Sequence, residues 1–579
     1  MSSARLSAIA VDSLAVDSIK GLIARLGKNS VQNYILTLGR ELSGIASNPT
    51  KVQMQATLDF GADVLQYLLD KGIVVKDGHT SAKTGNGVVV DILPNCSIDE
   101  LVIEHKREYP IRCEHSSRLH RDEILHSCDI ASIGSKNAEL LKQQNNIPLL
   151  VRKCNLRGSK RVPKDETNAS HPNYILETKL LQSYLKEYDE KVVFMNHSFD
   201  RRGRLYTMSY PLSFQSDEYT RSAIELANKE RVSSEGLQWL RLDIANLAGF
   251  DKHTTSSRLE WFSQAEQAII ACGRTGKYDR RLTLFNSVDK PIRLVSACKA
   301  YVDALEGRGI GYMCSIDATA SGQQLMAILT RDSVMAKFTN LTAEDKRYDI
   351  YSEVAREFYV LKGSTNRFEY LSDRKRFKSS IMISGYNGKK QVENDFPIDA
   401  ERELFYKAMR HCCAGVEELT ELVNLAYMDN CDKPYMAWIA PDGFQCVIPQ
   451  FKAKWARIAR KDFECMFKYE VIEPDIKTNK RSLLPNFVHN VDSFVCRELL
   501  RRCGETDIDV MSVHDSFYAH PNHMGVILKI YNEILQELNE DKYNIVANFL
   551  TDIYGKKMAN PFSDRPMLVD ITNAKYSLC

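Results

Sequence analysis

The apolar positions of this chain change period several times. Leu14, Ile19, Leu22 and Ile23 recur at roughly helical spacing, which predicts helix through most of residues 1–70. Gly72-Ile73-Val74-Val75, a polar HTSAKTGNG stretch and Gly87-Val88-Val89-Val90-Asp91-Ile92-Leu93 then read as a β-hairpin at 73–93 with a polar, Gly-containing tip. Residues 150–172 are basic and loop-like (Arg152, Lys153, Arg157, Lys160, Arg161, Lys164), and a helix is expected around 173–188. Beyond a soft boundary near residue 190, helical periods dominate. Thr342 and Asp345 form a capping pair before the stripe Ile350, Val354, Phe358 and Leu361. Residues 400–427 and 523–540 carry similar stripes, whereas strand-like runs are short, at 311–317, 441–448 and 508–520. The pattern predicts a mainly α chain with a small, mostly antiparallel β-sheet at its centre (α+β).

The chain has 579 residues, enough at roughly 150 per domain for about three or four domain-sized units. Hydrophobic residues at 44% and charged residues at 26% are ordinary globular values. Lys+Arg 77 against Asp+Glu 75 leaves +2, which excludes a uniformly basic nucleic-acid coat but leaves room for a local basic groove. No apolar run approaches the roughly 20 residues of a membrane span, so no membrane partner is expected. The start, MSSARLSAIAVDSLAVDSIKGL, lacks the features of an export or organelle signal, and a cytoplasmic protein is expected. The 15 cysteines form no C-x-x-C, and Cys412-Cys413 is the one close pair, so they read as reduced, mostly buried thiols.

Three segments carry candidate chemistry. In Val510 to Ala519, two β-like runs flank His514-Asp515, which places a carboxylate on a tight hairpin turn, suited to a metal ligand; a turn Asp bonding its own backbone fits equally. In Cys314-Ser315-Ile316-Asp317-Ala318-Thr319-Ala320-Ser321-Gly322, a strand ends in Asp317 and small residues lead into an apolar helix; helix capping by Thr319 or Ser321 is the plainer reading. In Arg374 to Lys390, Arg374 and Lys378 lie one helical turn apart and can face one polyanion. Tyr386 follows two turns beyond Lys378, bracketed by Gly385 and Gly388, which leave space beside its ring. A solvated basic face is the alternative there, as it is for a predicted helix carrying Lys452, Lys454, Arg457, Arg460 and Lys461.

Two strand-end acids with a cationic, aromatic-ended helix between them resemble motifs A, B and C of polymerases with the right-hand fold. In detail they resemble the single-subunit RNA polymerases of bacteriophages and mitochondria. Asp317 with Ser321-Gly322-Gln323-Gln324 is similar to motif A of that family, Lys378 through Tyr386-Asn387-Gly388 to motif B, and His514-Asp515-Ser516-Phe517 to motif C. Asp200-Arg201-Arg202-Gly203-Arg204, Pro441-Asp442-Gly443-Phe444 and Pro485-Asn486-Phe487-Val488-His489 resemble three further family segments. The resemblance runs from about residue 190 to the C-terminus.

The resemblance implies a fingers–palm–thumb catalytic part at 191–579, behind an abbreviated N-terminal domain at 1–190. It implies DNA-templated addition of NTPs to an RNA 3′ end, with two Mg²⁺ ions held by Asp317, Asp515 and the backbone carbonyl of Ala318, a position the family usually fills with Gly. Arg374 and Lys378 would meet the triphosphate, with general acid to pyrophosphate as the other role for Lys378. Tyr386 and His489 would select the sugar through the 2′-OH, beside Ser321 and Gly322. Arg202 and Arg204 would contact template or hybrid phosphates. A promoter-reading hairpin is expected at Phe467–Leu484, with Lys477, Lys480 and Arg481 near its tip. The implied partners are DNA template and promoter, RNA and NTPs, with a helper protein, second subunit or pre-melted template for opening, in a bacterial host cytoplasm if the protein is phage-encoded. Two rivals stay open: a DNA polymerase or primase of the same superfamily, and a non-catalytic DNA-binding accessory protein.

Overall fold

The computed structural model describes residues 22–23, 26, 29–43, 51–84, 87–94, 113, 133–156, 159–163, 172–277, 290–386 and 388–579. Leu14, Ile19, Lys164, the Gly85-Asn86 hairpin tip and Asn387 lie outside them. A short strand β1 (Asn29–Ser30) leads into helices α1 (Val31–Ser43) and α2 (Lys51–Asp70), followed by the hairpin β2 (Val74–Thr84) and β3 (Gly87–Pro94). Most of the polar stretch pairs within β2, across a register shift between Lys76 and Ser81, so the first arm is longer than the apolar pattern alone suggests.

Helix α3 (Ser135–Asn145), strand β4 (Leu149–Val151) and helix α4 (Pro172–Glu187) come next, then strands β5 (Val192–Val193), β6 (His197–Phe199), β7 (Leu205–Thr207) and β8 (Ile224–Leu226). Helices α5 (Ser234–Ala245), α6 (Thr255–Thr275) and α7 (Pro291–Leu305) lead to β9 (Cys314–Asp317). From there α8 (Ser321–Thr330), α9 (Ile350–Leu361), α10 (Arg374–Gly385) and α11 (Asp399–Met428) follow. Two hairpins, β10 (Tyr435–Ile439) with β11 (Gln445–Pro449) and β12 (Phe451–Ala459) with β13 (Glu464–Ile472), precede the long helix α12 (Ile476–Gly504). Strands β14 (Val510–Val513) and β15 (Ser516–Ala519) and helices α13 (Met524–Asn539) and α14 (Ile545–Tyr554) complete the order. Helices dominate, and each described sheet has two or three strands. This is the mainly α, α+β architecture the sequence pattern predicts, with the β14–β15–β9 sheet as a small antiparallel floor.

Helix α9 begins where its stripe begins, but its cap differs from the sequence expectation. Asp349 accepts from the Ser352 N–H at 3.2 Å, while Asn340 grips the backbone of Tyr348 on both sides and keeps the preceding segment out of the helix. Buried Phe358, Phe377, Phe396 and Phe405 form a chain of rings with centroids 4.9–5.3 Å apart. Phe377 thereby anchors α10 and leaves Lys378 on its exposed side.

The predicted helix at 452–461 is instead strand β12 and its turn. Ala456 and Ile458 are buried with Phe463, Cys465 and Phe467, a period of two that the helical-looking spacing of the cations masked. These residues share a core with Leu58, Leu65 and Leu68 of α2. At the hairpin's turn Arg460 pairs with Asp59 and Asp63, and Asp462 with Gln66 and Lys76. The hairpin between the PDGF and PNFVH segments therefore spans 451–472 rather than 467–484, and its turn docks on the N-terminal helices. Lys477, Lys480 and Arg481 sit in the first turns of α12, away from any ribbon tip.

One buried cation organises the middle of the fold. Arg497, on α12, is 1% exposed and forms a bidentate pair with Asp442 at 2.6 and 3.0 Å. It also donates to the Gly203 carbonyl at 2.7 Å. Gly203 has φ +84, and a Cβ there would lie 2.1 Å from the guanidinium, so only glycine fits. Arg497→Ala is expected to cost about 3–5 kcal/mol of unfolding free energy by stranding Asp442. Chemical denaturation of the two single variants and the Arg497→Ala/Asp442→Ala double should show the double costing clearly less than the sum.

Candidate active site

The site is built on backbone pairing. β9 and β15 are antiparallel with Asp317 opposite Ser516, and β15 pairs with β14 through the two-residue turn His514-Asp515. His514 takes a left-handed φ of 59, and its ring meets Tyr206 edge-on at 5.1 Å. The Ala318 N–H donates to the Asp515 carbonyl at 3.1 Å, so two acids 198 residues apart in sequence lie side by side. The C-terminal segment completes this floor: Asp317 and Cys579 exchange backbone bonds at 2.8 and 3.0 Å, and Thr319 N–H donates to the Ser577 carbonyl.

Both acids open into a cavity of about 800 Å³, lined also by Arg204, Ala318, Ser321, Gly322, Arg374, Lys378, Tyr386, His489 and Asp492. Asp317 faces the open space, yet desolvation by the surrounding wall holds its carboxyl above the usual value, against the Ser516 hydroxyl and Lys290, Lys252 and Lys378. Burial, then the charges of Asp317 and Asp492, push Asp515 up to about 7. Two acids that resist shared ionisation, with oxygen donors in an open polar cavity, are a donor set that fits a hard divalent cation.

The capping alternative for the small-residue segment does not hold. Helix α8 has Ala320 at its N-cap position and no side-chain cap. Thr319 donates to the Tyr576 carbonyl at 3.0 Å, and Ser321 donates to Asp492. Asp515 does bond its own backbone, as the turn reading expects, and it also faces the charges of Asp317 and Asp492.

Helix α10 supplies the cationic wall. Lys378 extends past the Tyr351 ring, 5.6 Å from its centroid. Arg374 is committed, with Nε and Nη2 on the two oxygens of Asp349 at 2.6 and 2.7 Å. Tyr386 caps the helix and lies 5.1 Å from the His489 ring. The room beside its hydroxyl comes from Gly322, where a Cβ would lie 2.8 Å from that oxygen. Gly385 and Gly388, the glycines that bracket Tyr386, do not make this space: a Cβ at Gly385 meets Met326 in ordinary contact at 3.7 Å, and one at Gly388 meets Ile383.

Arg202 and Arg204 turn inward. Arg202 donates to Asp200, and its Nη1 lies 3.0 Å from His489 Nδ1. Arg204 donates to Asp492 at 3.0 Å. Burial, then Arg204 and Arg202, push His489 down to about 3, so its ring is neutral, accepts at Nδ1 and carries its proton on Nε2. Asp492 is the site residue that sequence reasoning missed. It lies one helical turn beyond His489 on α12, and that spacing was its only signal. Lys477, Lys480 and Arg481 are not among the residues lining the cavity.

A family model described as DNA-dependent RNA polymerase matches residues 230–395 and 390–564, more than half of the chain. A chloroplastic DNA-directed RNA polymerase 3 from Nicotiana sylvestris is 26% identical over 392 residues, covering 60% of this chain and 40% of the relative. The mitochondrial DNA-directed RNA polymerase of Homo sapiens is 22% identical over 389 residues, covering 61% and 32%. The chain thus spans less than half the length of the curated relatives it matches, and their names are organellar where the sequence reading expected a cytoplasmic protein, in a bacterial host if phage-encoded. Among solved structures, the POL domain of Pol1 from M. smegmatis in complex with DNA primer-template and dNTP covers 90% of this chain and 78% of its own, at TM-score 0.37 and 11% identity. Among the described residues, no helix is long and apolar enough to cross a membrane.

Gly322→Ala isolates the contact with Tyr386. The helix would gain from alanine, but the clash with the Tyr386 hydroxyl should make the variant about 1–3 kcal/mol less stable. Thermal unfolding should show most of that loss suppressed in a Tyr386→Phe background, where the clashing oxygen is gone.

Proposed function

This chain belongs to the family of DNA-dependent RNA polymerases, and on that premise we propose that its cavity adds ribonucleotides to an RNA 3′ end along a DNA template. The observation that carries this reading is the meeting of Asp317 and Asp515 at one end of the β14–β15–β9 sheet. Asp317, Asp515 and the Ala318 carbonyl would hold two Mg²⁺ ions, which when bound activate the attacking 3′-oxygen and stabilise the leaving pyrophosphate.

The rest of the work falls to the chain's own side chains. Lys378 is a wall cation on α10 placed to meet an incoming triphosphate, as electrostatic partner or proton donor. Arg374 acts from behind: its bond to Asp349 braces the α10 face instead of leaving the guanidinium free for phosphate. Tyr386 and His489 face the sugar. Because Arg202 holds Nδ1, the Nε2–H of His489 is the donor left for a ribose 2′-OH or for the Tyr386 hydroxyl that contacts it. Asp492 ties Arg204 to Ser321 and so joins the D-x-R-G-R turn to the start of α8. The exposed ends of Lys477 and Arg481, one turn apart on α12, together with Lys480, form a basic face for the nucleic-acid backbone. The division into residues 1–190 and 191–579 enters as part of this proposal, with the β12–β13 hairpin on α2 as one meeting point of the two parts.

Asp317→Asn and Asp515→Asn are each expected to lower RNA synthesis on single-stranded DNA by on the order of 10²-fold or more, with DNA binding nearly unchanged. Substantial residual synthesis in either variant defeats the assignment, and synthesis by the unmodified chain from dNTPs in preference to rNTPs favours the DNA-polymerase rival. Tyr386→Phe should reduce rNTP over dNTP selectivity by roughly 2- to 12-fold, the worth of one hydrogen bond, with a modest loss of rate. Selectivity left intact in steady-state incorporation assays removes Tyr386 from sugar choice.

A further inference from the structure

Beyond Ala519, at the end of β15 remote from Asp515, the chain turns through His520-Pro521-Asn522-His523 before α13. The turn lies against Glu230, in the connection between β8 and α5, whose backbone exchanges bonds with Ile310 at 2.9 and 3.1 Å. His523 Nε2 is 3.0 Å from Glu230 Oε1, and His520 Nδ1 is 3.7 Å from Glu230 Oε2. One nitrogen or oxygen from each of the three residues lies within 4.8 Å of the others. His520 is fully buried, and its Nε2 is sealed from solvent with no hydrogen-bond partner. Its Nδ1 accepts from the Asn522 N–H at 3.3 Å. Asn522 also fastens the turn, accepting from the Ser233 N–H at 2.8 Å and donating to the Arg231 carbonyl at 2.9 Å. None of these residues lines the catalytic cavity.

We propose that Glu230, His520 and His523 form a binding site for a divalent transition-metal ion of the zinc class, with water as the fourth ligand, that latches the exit of the catalytic hairpin to the segment before α5. Two imidazoles and a carboxylate are a borderline donor set that suits Zn²⁺ and not Mg²⁺. Tetrahedral bonds near 2.1 Å set neighbouring ligand atoms about 3.4 Å apart, a value that the 3.0 and 3.7 Å separations straddle. The half-exposed Glu230 and His523 provide the entry path, at 41% and 26% side-chain exposure. The bland alternative is a carboxylate that hydrogen-bonds two histidines and holds no ion.

The test uses the full chain carrying Asp317→Asn and Asp515→Asn, so that the cavity's acids do not add to the binding. After treatment with a chelator, one equivalent of Co²⁺ should bind with visible absorption of tetrahedral nitrogen–oxygen type, be displaced by Zn²⁺, and leave the Zn²⁺ form with a raised thermal midpoint. His523→Ala and Glu230→Gln, which leave the buried His520 in place, should each weaken Zn²⁺ binding by about tenfold or more and abolish the thermal shift. Absence of the cobalt absorption, or binding undiminished in both variants, overturns the proposal in favour of the hydrogen-bonded cluster, whatever the outcome of the synthesis assays.

Discussion

The register between β9 and β15 is the constraint on which the site depends. With Asp317 opposite Ser516, the acid at the end of one strand arrives beside the acid at the start of the other. A slip of one residue would turn Asp317 to the opposite face and leave Asp515 alone. Burial, and after it the charges of Asp317 and Asp492, oppose ionisation of Asp515 and raise it to about 7. The register is held because Ile316 and Phe517, the paired residues next to Asp317 and Ser516, are buried in the main core, and each buried side chain of that size is worth about 1.5–3 kcal/mol. The packing of the sheet thus outweighs the repulsion at its end.

Helix α12 does for the polar wall what the sheet does for the acids. His489, Asp492 and Arg497 lie along it, and each fixes a segment distant in sequence: Arg202 by His489, Arg204 and Ser321 by Asp492, Gly203 and Asp442 by Arg497. Three segments that look like separate motifs in the sequence are therefore one hydrogen-bonded unit. The inward turn of Arg202 and Arg204 follows directly, since α12 offers both of them partners.

Local features were legible in the sequence where backbone and side chain pointed to the same answer. The His514-Asp515 turn, the strand ending in Asp317 and the helix from Arg374 each needed only a few neighbouring residues to specify them. The failures share a different cause. Lys452, Lys454, Arg457, Arg460 and Lys461 fit a helical spacing, and only the burial of Ala456 and Ile458 against α2 decides for a strand. Arg202, Arg204 and Arg374 showed their charge but not their carboxylate partners, which lie on other elements or, for Arg202, two residues away. The glycine that makes room for Tyr386 proved to be Gly322, 64 residues earlier in the chain, a relation that exists only after α8 and α10 have packed.

Under the proposed function the substrate is a polyanion, and a chain with a net charge of only +2 has to place its cations rather than accumulate them. Cations that are paired hold the architecture and contribute little field at the cavity, since each is offset by its carboxylate. Arg374 is spent on Asp349 and Arg204 on Asp492. Lys378, on the exposed side of a helix anchored through Phe377, keeps its charge near Asp317. Placement of charge, not its sum, is what this fold provides.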